Sequence, residues 1–73
     1  MIGNKHTYLT CTLSTIKIVN FIKFIEENIH ALFKVELTSD YHNYLIIYDL
    51  DDEQLDEVKK FENEIITKKE MLK

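Results

Sequence analysis

Four side chains could ligate a soft metal, shuttle a proton or act as a nucleophile: Cys11, His6, His30 and His42. No two stand three or four residues apart, the spacing that sets ligands side by side on a helix, and neither CxxC nor HExxH occurs. A metal site would need tertiary convergence, and none is expected. One cysteine cannot close an intrachain disulfide, which points to a reducing cytoplasm. Placed on the inner side of a strand, Cys11 is expected to be an inert small hydrophobe, not a nucleophile.

The oxygen donors are richer but unselective. Asp49-Leu50-Asp51-Asp52-Glu53 has the alternate spacing of a calcium loop, yet it lacks the glycine that makes the sharp turn, and helix-capping acids explain it as well. Further on, Glu53, Asp56, Glu57 and Glu64 fall within about 100° of arc on a helix, interrupted by Lys60, a negative strip that could imitate a phosphate backbone or meet a basic protein. Any acidic helix offers carboxylate pairs, so they do not single out acid–base catalysis. A single glycine and no proline exclude the Gly-rich phosphate loop and the dinucleotide fingerprint. No catalytic residue, cofactor or metal is expected, and the chain is read as a non-enzyme.

The elements that must position these groups emerge from periodicity. His6 to Leu13 alternates, with Leu9, Cys11 and Leu13 on one side and Tyr8, Thr10 and Thr12 on the other, as in a half-buried strand. Ser14 or Thr15 can cap a helix over about Thr15 to Ala31, whose stripe is Ile18, Phe21, Ile22, Ile25, Ile29 and Leu32. Phe33, Val35 and Leu37 alternate with Lys34, Glu36 and Thr38, Ser39-Asp40-Tyr41-His42-Asn43 supplies a turn, and Tyr44-Leu45-Ile46-Ile47-Tyr48 is apolar on both sides, as a central strand should be. Asp51 and Gln54 stand at capping-box spacing before a second helix with Leu55, Val58, Phe61, Ile65 and Leu72 on one face and Lys68, Lys69 and Lys73 at its end.

The expected fold is therefore α+β: residues 1–73 form one small βαββα domain, a three-stranded mixed sheet in the order 1-3-2 with both helices on one face. Leu9, Phe21, Ile25, Val35, Ile47, Val58, Phe61 and Ile65 are its expected core. Tyr8, Tyr44, Ile46 and Tyr48 would then share the outer face, like the stacking platform of RNA-recognition domains. A net charge of −4 with nine lysines and no arginine disfavours nucleic acid. A protein contact suits the tyrosines better. No apolar run approaches the ~18 residues of a membrane span, so no membrane partner is expected.

At the level of topology the chain resembles the DinI-like proteins, small regulators of the RecA recombinase, which share the strand-helix-strand-strand-helix order over nearly the whole length and an acidic last helix. That resemblance implies a recombinase-type protein partner met by the last helix. Lys68, Lys69 and Lys73 depart from an acidic terminus, and no motif is shared.

The functional expectation is a cytoplasmic protein-interaction module that binds and modulates another protein. Abundant Ile, Lys and Asn suggest a phage, mobile element or low-GC bacterium as its source. The expected contact residues are Tyr8, Tyr44, Ile46, Tyr48, Glu53, Asp56, Glu57 and Glu64. The alternatives are a dimeric small-ligand-binding regulatory domain and a single-stranded nucleic-acid binder. Because a chain of this size buries only about 60% of its unfolded surface, a homodimer through uncharged strand one is also expected, with Phe24 covered by the second copy.

Overall fold

The computed structural model describes residues 5–38 and 42–67. In chain order it contains β1 (His6–Leu9), α1 (Thr15–Phe24), a π-helical turn continuing α1 (Ile25–Ile29), β2 (Phe33–Glu36), β3 (Tyr44–Leu50) and α2 (Asp52–Thr67). The strands form one sheet in the order β1-β3-β2, the expected α+β arrangement. One detail is corrected: β3 runs antiparallel to both neighbours, so the sheet is antiparallel, not mixed. β1 and β2 do run in the same direction, as the crossover through α1 requires, but β3 separates them and no parallel ladder forms. The turn residues Ser39, Asp40 and Tyr41, and Lys68, Lys69, Leu72 and Lys73 at the expected helix end, lie outside the described residues.

Local chemistry sets the helix ends. The Ser14 hydroxyl accepts the Lys17 N–H at 3.4 Å, capping α1. At its far end the His30 N–H reaches back five residues to the Ile25 carbonyl at 2.6 Å, and His30 takes φ 60°, ψ 38°, a left-handed position that glycine usually fills. The capping box forms as its spacing predicts: Asp51 Oδ1 accepts the Gln54 N–H at 2.8 Å, and the Asp51 N–H donates to Gln54 Oε1 at 2.9 Å. Gln54 also donates its side-chain amide to the Ile29 carbonyl at 3.1 Å, so the first turn of α2 satisfies the last turn of α1.

Both helices contribute to one core against β3. Phe21, Ile25, Leu45, Ile47, Leu50 and Val58 are fully buried, with Leu13, Ile18 and Ile29 completing the cluster. Of the expected core, Phe21, Ile25, Ile47 and Val58 are inside, Val35, Phe61 and Ile65 pack partly buried against them, and Leu9 is 60% exposed. Nor is Phe24 left for a second copy to cover: it stacks on Phe61 with ring centroids 4.2 Å apart and planes 3° from parallel. Among the described residues no helix is long and apolar enough to cross a membrane.

The sheet departs from simple alternation at two places. Tyr8 pairs with Ile47 and Leu9 with Ile46, and cross-strand partners share a face, so Tyr8 points toward the core and Leu9 away from it. The inner side of β1 is thus Tyr8 and Thr10, the reverse of the expected one, and Cys11 is exposed. Thr10 ends the regular strand: its N–H donates to the Leu45 carbonyl at 3.0 Å, while its hydroxyl replaces a backbone carbonyl by accepting the Leu45 N–H at 3.0 Å. The following residues shift parity, and Leu13 rejoins the core through a bridge to Asn43, whose buried side-chain amide donates to the Leu13 carbonyl at 3.2 Å.

On β3 the pairs His6–Leu50 and Tyr8–Ile47 enclose one extra residue, a β-bulge, with Asp49 at φ 58°. Continued alternation from Leu45 and Ile47 would turn Asp49 inward. The bulge substitutes Leu50, which is fully buried, and leaves Asp49 in solvent.

Candidate functional site

The strongest cluster of chemistry-bearing groups joins β1 to α2. Glu62 is 8% exposed, yet it occupies a position of the apolar stripe of α2, four residues after Val58 and seven after Leu55. Its two carboxylate oxygens are used separately: Oε1 accepts the Tyr8 hydroxyl, and Oε2 accepts the Cys11 N–H at 2.8 Å. Burial, then the hydrogen bond to Glu62 and its negative charge, push the Tyr8 phenol up to about 12. Cys11 as a whole residue is exposed, but partial burial of its thiol, followed by the adjacent carboxylate, moves that group upward as well. Both shifts hold the protonated form, the opposite of what activates a nucleophile. The cluster therefore works as a polar clasp between sheet and helix. A second tie joins the same elements at the surface, where His6 Nε2 and Asp52 Oδ1 lie 2.7 Å apart.

The sheet face turned away from the helices is the second candidate. Lys34 pairs with Ile46 and Glu36 with Tyr44, so these residues share the face with Leu9 and, by alternation along β3, Tyr48. Tyr44, Ile46 and Tyr48 are half-buried on it. Leu32 extends this side at 75% exposure and anchors the backbone there, its carbonyl accepting the Tyr48 N–H at 2.9 Å. An ion pair between Lys34 Nζ and Glu36 Oε2, 3.1 Å long, lies beside the tyrosines. That contact first, and the two phenols more weakly, raise the Lys34 ammonium above its usual value. Of the four residues expected outward, Tyr44, Ile46 and Tyr48 are brought together; Tyr8 is not, because its hydroxyl is held by Glu62, and Leu9 stands in its place.

The acidic strip is present but divided. Glu53, Asp56, Glu57 and Glu64 are all exposed on α2. Glu53 and Asp56 border one shallow groove together with Lys59, while Glu57 and Glu64 border another beside Lys60 and the stacked Phe24 and Phe61. Lysines thus interleave both halves. The acids with calcium-loop spacing have individual structural roles or none: Asp51 caps α2, Asp52 faces His6, and Asp49 points to solvent at the bulge. Among the described residues no group of three or more His, Cys, Asp or Glu side chains could hold a metal ion.

Periodicity does not single out Glu62, Thr10 and Asn43, the buried polar residues among those described. For Glu62 a signal existed: a carboxylate at an apolar-stripe position must find buried donors. No protein-family model, no curated protein and no solved structure matches this chain.

Proposed function

We propose that this chain acts by binding another protein through the open face of its sheet, and that it is not an enzyme. One observation carries the reading: both helices pack on the same side, leaving Leu9, Tyr44, Ile46 and Tyr48 together on the other, with Leu32 alongside. Tyrosine gives large contact area at low entropic cost with a polar tip for a partner to satisfy, and Lys34 with Glu36 provides charge next to the apolar patch. The upward shifts at Tyr8 and Cys11 keep both groups protonated, so neither is activated as a nucleophile.

Two other readings receive less support. A single-stranded nucleic acid could stack on Tyr44 and Tyr48, but Lys34, which lies beside them, is already paired with Glu36, and the chain carries a net charge of −4. A small-ligand regulatory domain calls for an enclosed pocket with convergent polar groups, whereas the two grooves bordered by the acidic strip are shallow. A cytoplasmic setting and a phage or low-GC bacterial source belong to the same proposal and rest on the single cysteine and on residue usage. Modulation of a recombinase-like partner, which the topological resemblance implies, would involve the acidic strip instead of the open face.

The test compares three tagged chains in lysate of a low-GC bacterium: the natural one, Ile46→Arg, and the double reversal Glu53→Lys, Glu57→Lys. A protein retained by the natural chain and the double reversal but lost from Ile46→Arg supports the open face. Loss from the double reversal alone transfers binding to the acidic strip, and capture of nuclease-sensitive nucleic acid overturns the reading.

A further inference from the structure

Among the described residues, the outer edge of β1 has the most sharply defined unmet bonding. In the ladder to β3, Thr10 is a hydrogen-bonded position, since its N–H reaches the Leu45 carbonyl. Alternation makes Tyr8, opposite Ile47, the next bonded position, so the backbone groups of Thr7 and Leu9 point outward from the sheet. Cys11 would be the next outward donor, but its N–H is taken by Glu62 Oε2 at 2.8 Å. The carboxylate thus closes the edge at one end and leaves a short bonding unit, Thr7 to Leu9. No residue from Thr7 to Leu13 is charged, whereas the opposite edge, β2, carries Lys34 and Glu36.

We infer that this edge pairs antiparallel with the same edge of a second copy, in the register centred on Tyr8. The inference does not rest on the open-face reading, because it uses the rim of the sheet and not its surface. β1 begins at His6, so Thr7 and Leu9 are its two outward positions, and centring on Thr7 would oppose Leu9 to the partner's Lys5, outside the strand. Two antiparallel registers remain. Centring on Leu9 would oppose Thr7 to the partner's Cys11, whose donor is already occupied. Centring on Tyr8 opposes Thr7 to the partner's Leu9 and Leu9 to the partner's Thr7, so every outward N–H and C=O of the unit is matched by an identical unit under a two-fold axis. The result is a continuous six-stranded antiparallel sheet.

The helix layer is consistent with that axis. Glu62 marks the side of α2 that reaches β1, and beyond it, away from buried Val58 and partly buried Ile65, lie Lys59 and Ile66. Ile66 is 46% exposed. With α2 beneath β1 and β3, the two copies of α2 become neighbours across the axis, and Ile66 is the apolar side chain available to cover the join.

Sedimentation from micromolar to millimolar concentration, followed by oxidative cross-linking of single-cysteine variants on a Cys11→Ser background, tests the inference. A dimer in which Tyr8→Cys links faster than Leu9→Cys is expected, because Tyr8 alone faces its own copy. Leu9→Pro, which deletes an outward donor without touching the ladder to β3, should weaken association on the order of tenfold for the two bonds lost per dimer. This second variant keeps the Tyr8–Glu62 contact intact, so a fold disturbed by Tyr8→Cys does not blunt the test. A monomer throughout the range, faster linking at Leu9, or a natural-strength dimer in a folded Leu9→Pro chain would each overturn it. None of these outcomes changes what Ile46→Arg does to partner capture, so the two proposals fail separately.

Discussion

α2 and β1 are built on opposite principles. The start of α2 is specified by residues three apart: Asp51 and Gln54 exchange two hydrogen bonds, and the acids of the first turn meet the positive end of the helix dipole. β1 takes its orientation from residues more than fifty positions away, because Glu62 accepts from Tyr8 and Cys11 and thereby fixes which side of the strand faces inward. A local device can be read along the chain and fails locally. A distant one is invisible in periodicity, and its loss frees two elements at once.

The sharpest way to break this contrast is to test which residues the sheet has turned inward. Leu50→Ala should cost about 2–5 kcal/mol, the range for a fully buried leucine, because the bulge delivers that side chain to the core. Leu9→Ala, on a strand position that alternation assigns to the core, should stay within about 0.5 kcal/mol because the side chain is mostly in solvent. Urea midpoints measure both. Equal losses would mean that the parity of β1 or β3 is the reverse of that described.

Next in size is the clasp. Glu62→Ala leaves the Tyr8 hydroxyl and the Cys11 N–H without their acceptor, an expected loss of about 1–3 kcal/mol. Amide exchange sharpens it: protection should fall at Cys11 and through β1 while the Gln54 amide stays protected. Asp51→Ala should have the opposite footprint, about 1 kcal/mol with exchange quickened only at the first turn of α2. Identical exchange patterns in the two variants would erase the distinction between the regions.

What could be read from the residues follows the same division. The βαββα order, the 1-3-2 sheet, a helix cap at Ser14 or Thr15 and the Asp51–Gln54 box all come from spacing within a few residues or from chain-crossing geometry, and they stand, with Ser14 as the cap. Tyr8 and Leu9 were exchanged because alternation gives a period and not a phase; the phase came from burying a phenol against a carboxylate on another element. Asp49 illustrates the same limit, since a one-residue bulge resets the period midway along β3 without glycine to announce it. Of the candidate contact residues, Tyr44, Ile46 and Tyr48 share a strand, so one error of phase could not separate them. Tyr8 belonged to a different strand and did separate.

The smallest expected signal is a slope with pH, and it isolates one bond of the clasp. The Tyr8 phenol is raised from 10.0 to about 12 in the folded chain, so the native state keeps its proton where the unfolded state loses it. Stability from this group is fully present below pH 10.0 and declines as the pH rises toward about 12, because over that window the unfolded chain holds fewer protons. Other groups that ionise in this window contribute slopes of their own, so the informative quantity is a difference. Tyr8→Phe keeps the ring beside Ile47 but has no proton to lose, and its stability should fall less steeply with alkaline pH than that of the natural chain. The two curves of urea midpoint against pH should therefore converge between pH 10.0 and about 12. Curves that stay parallel through that window would show that Tyr8 ionises normally. The orientation of β1 would then rest on the Cys11 N–H and the Thr10 hydroxyl, and the tyrosine would be a passenger on the inner face.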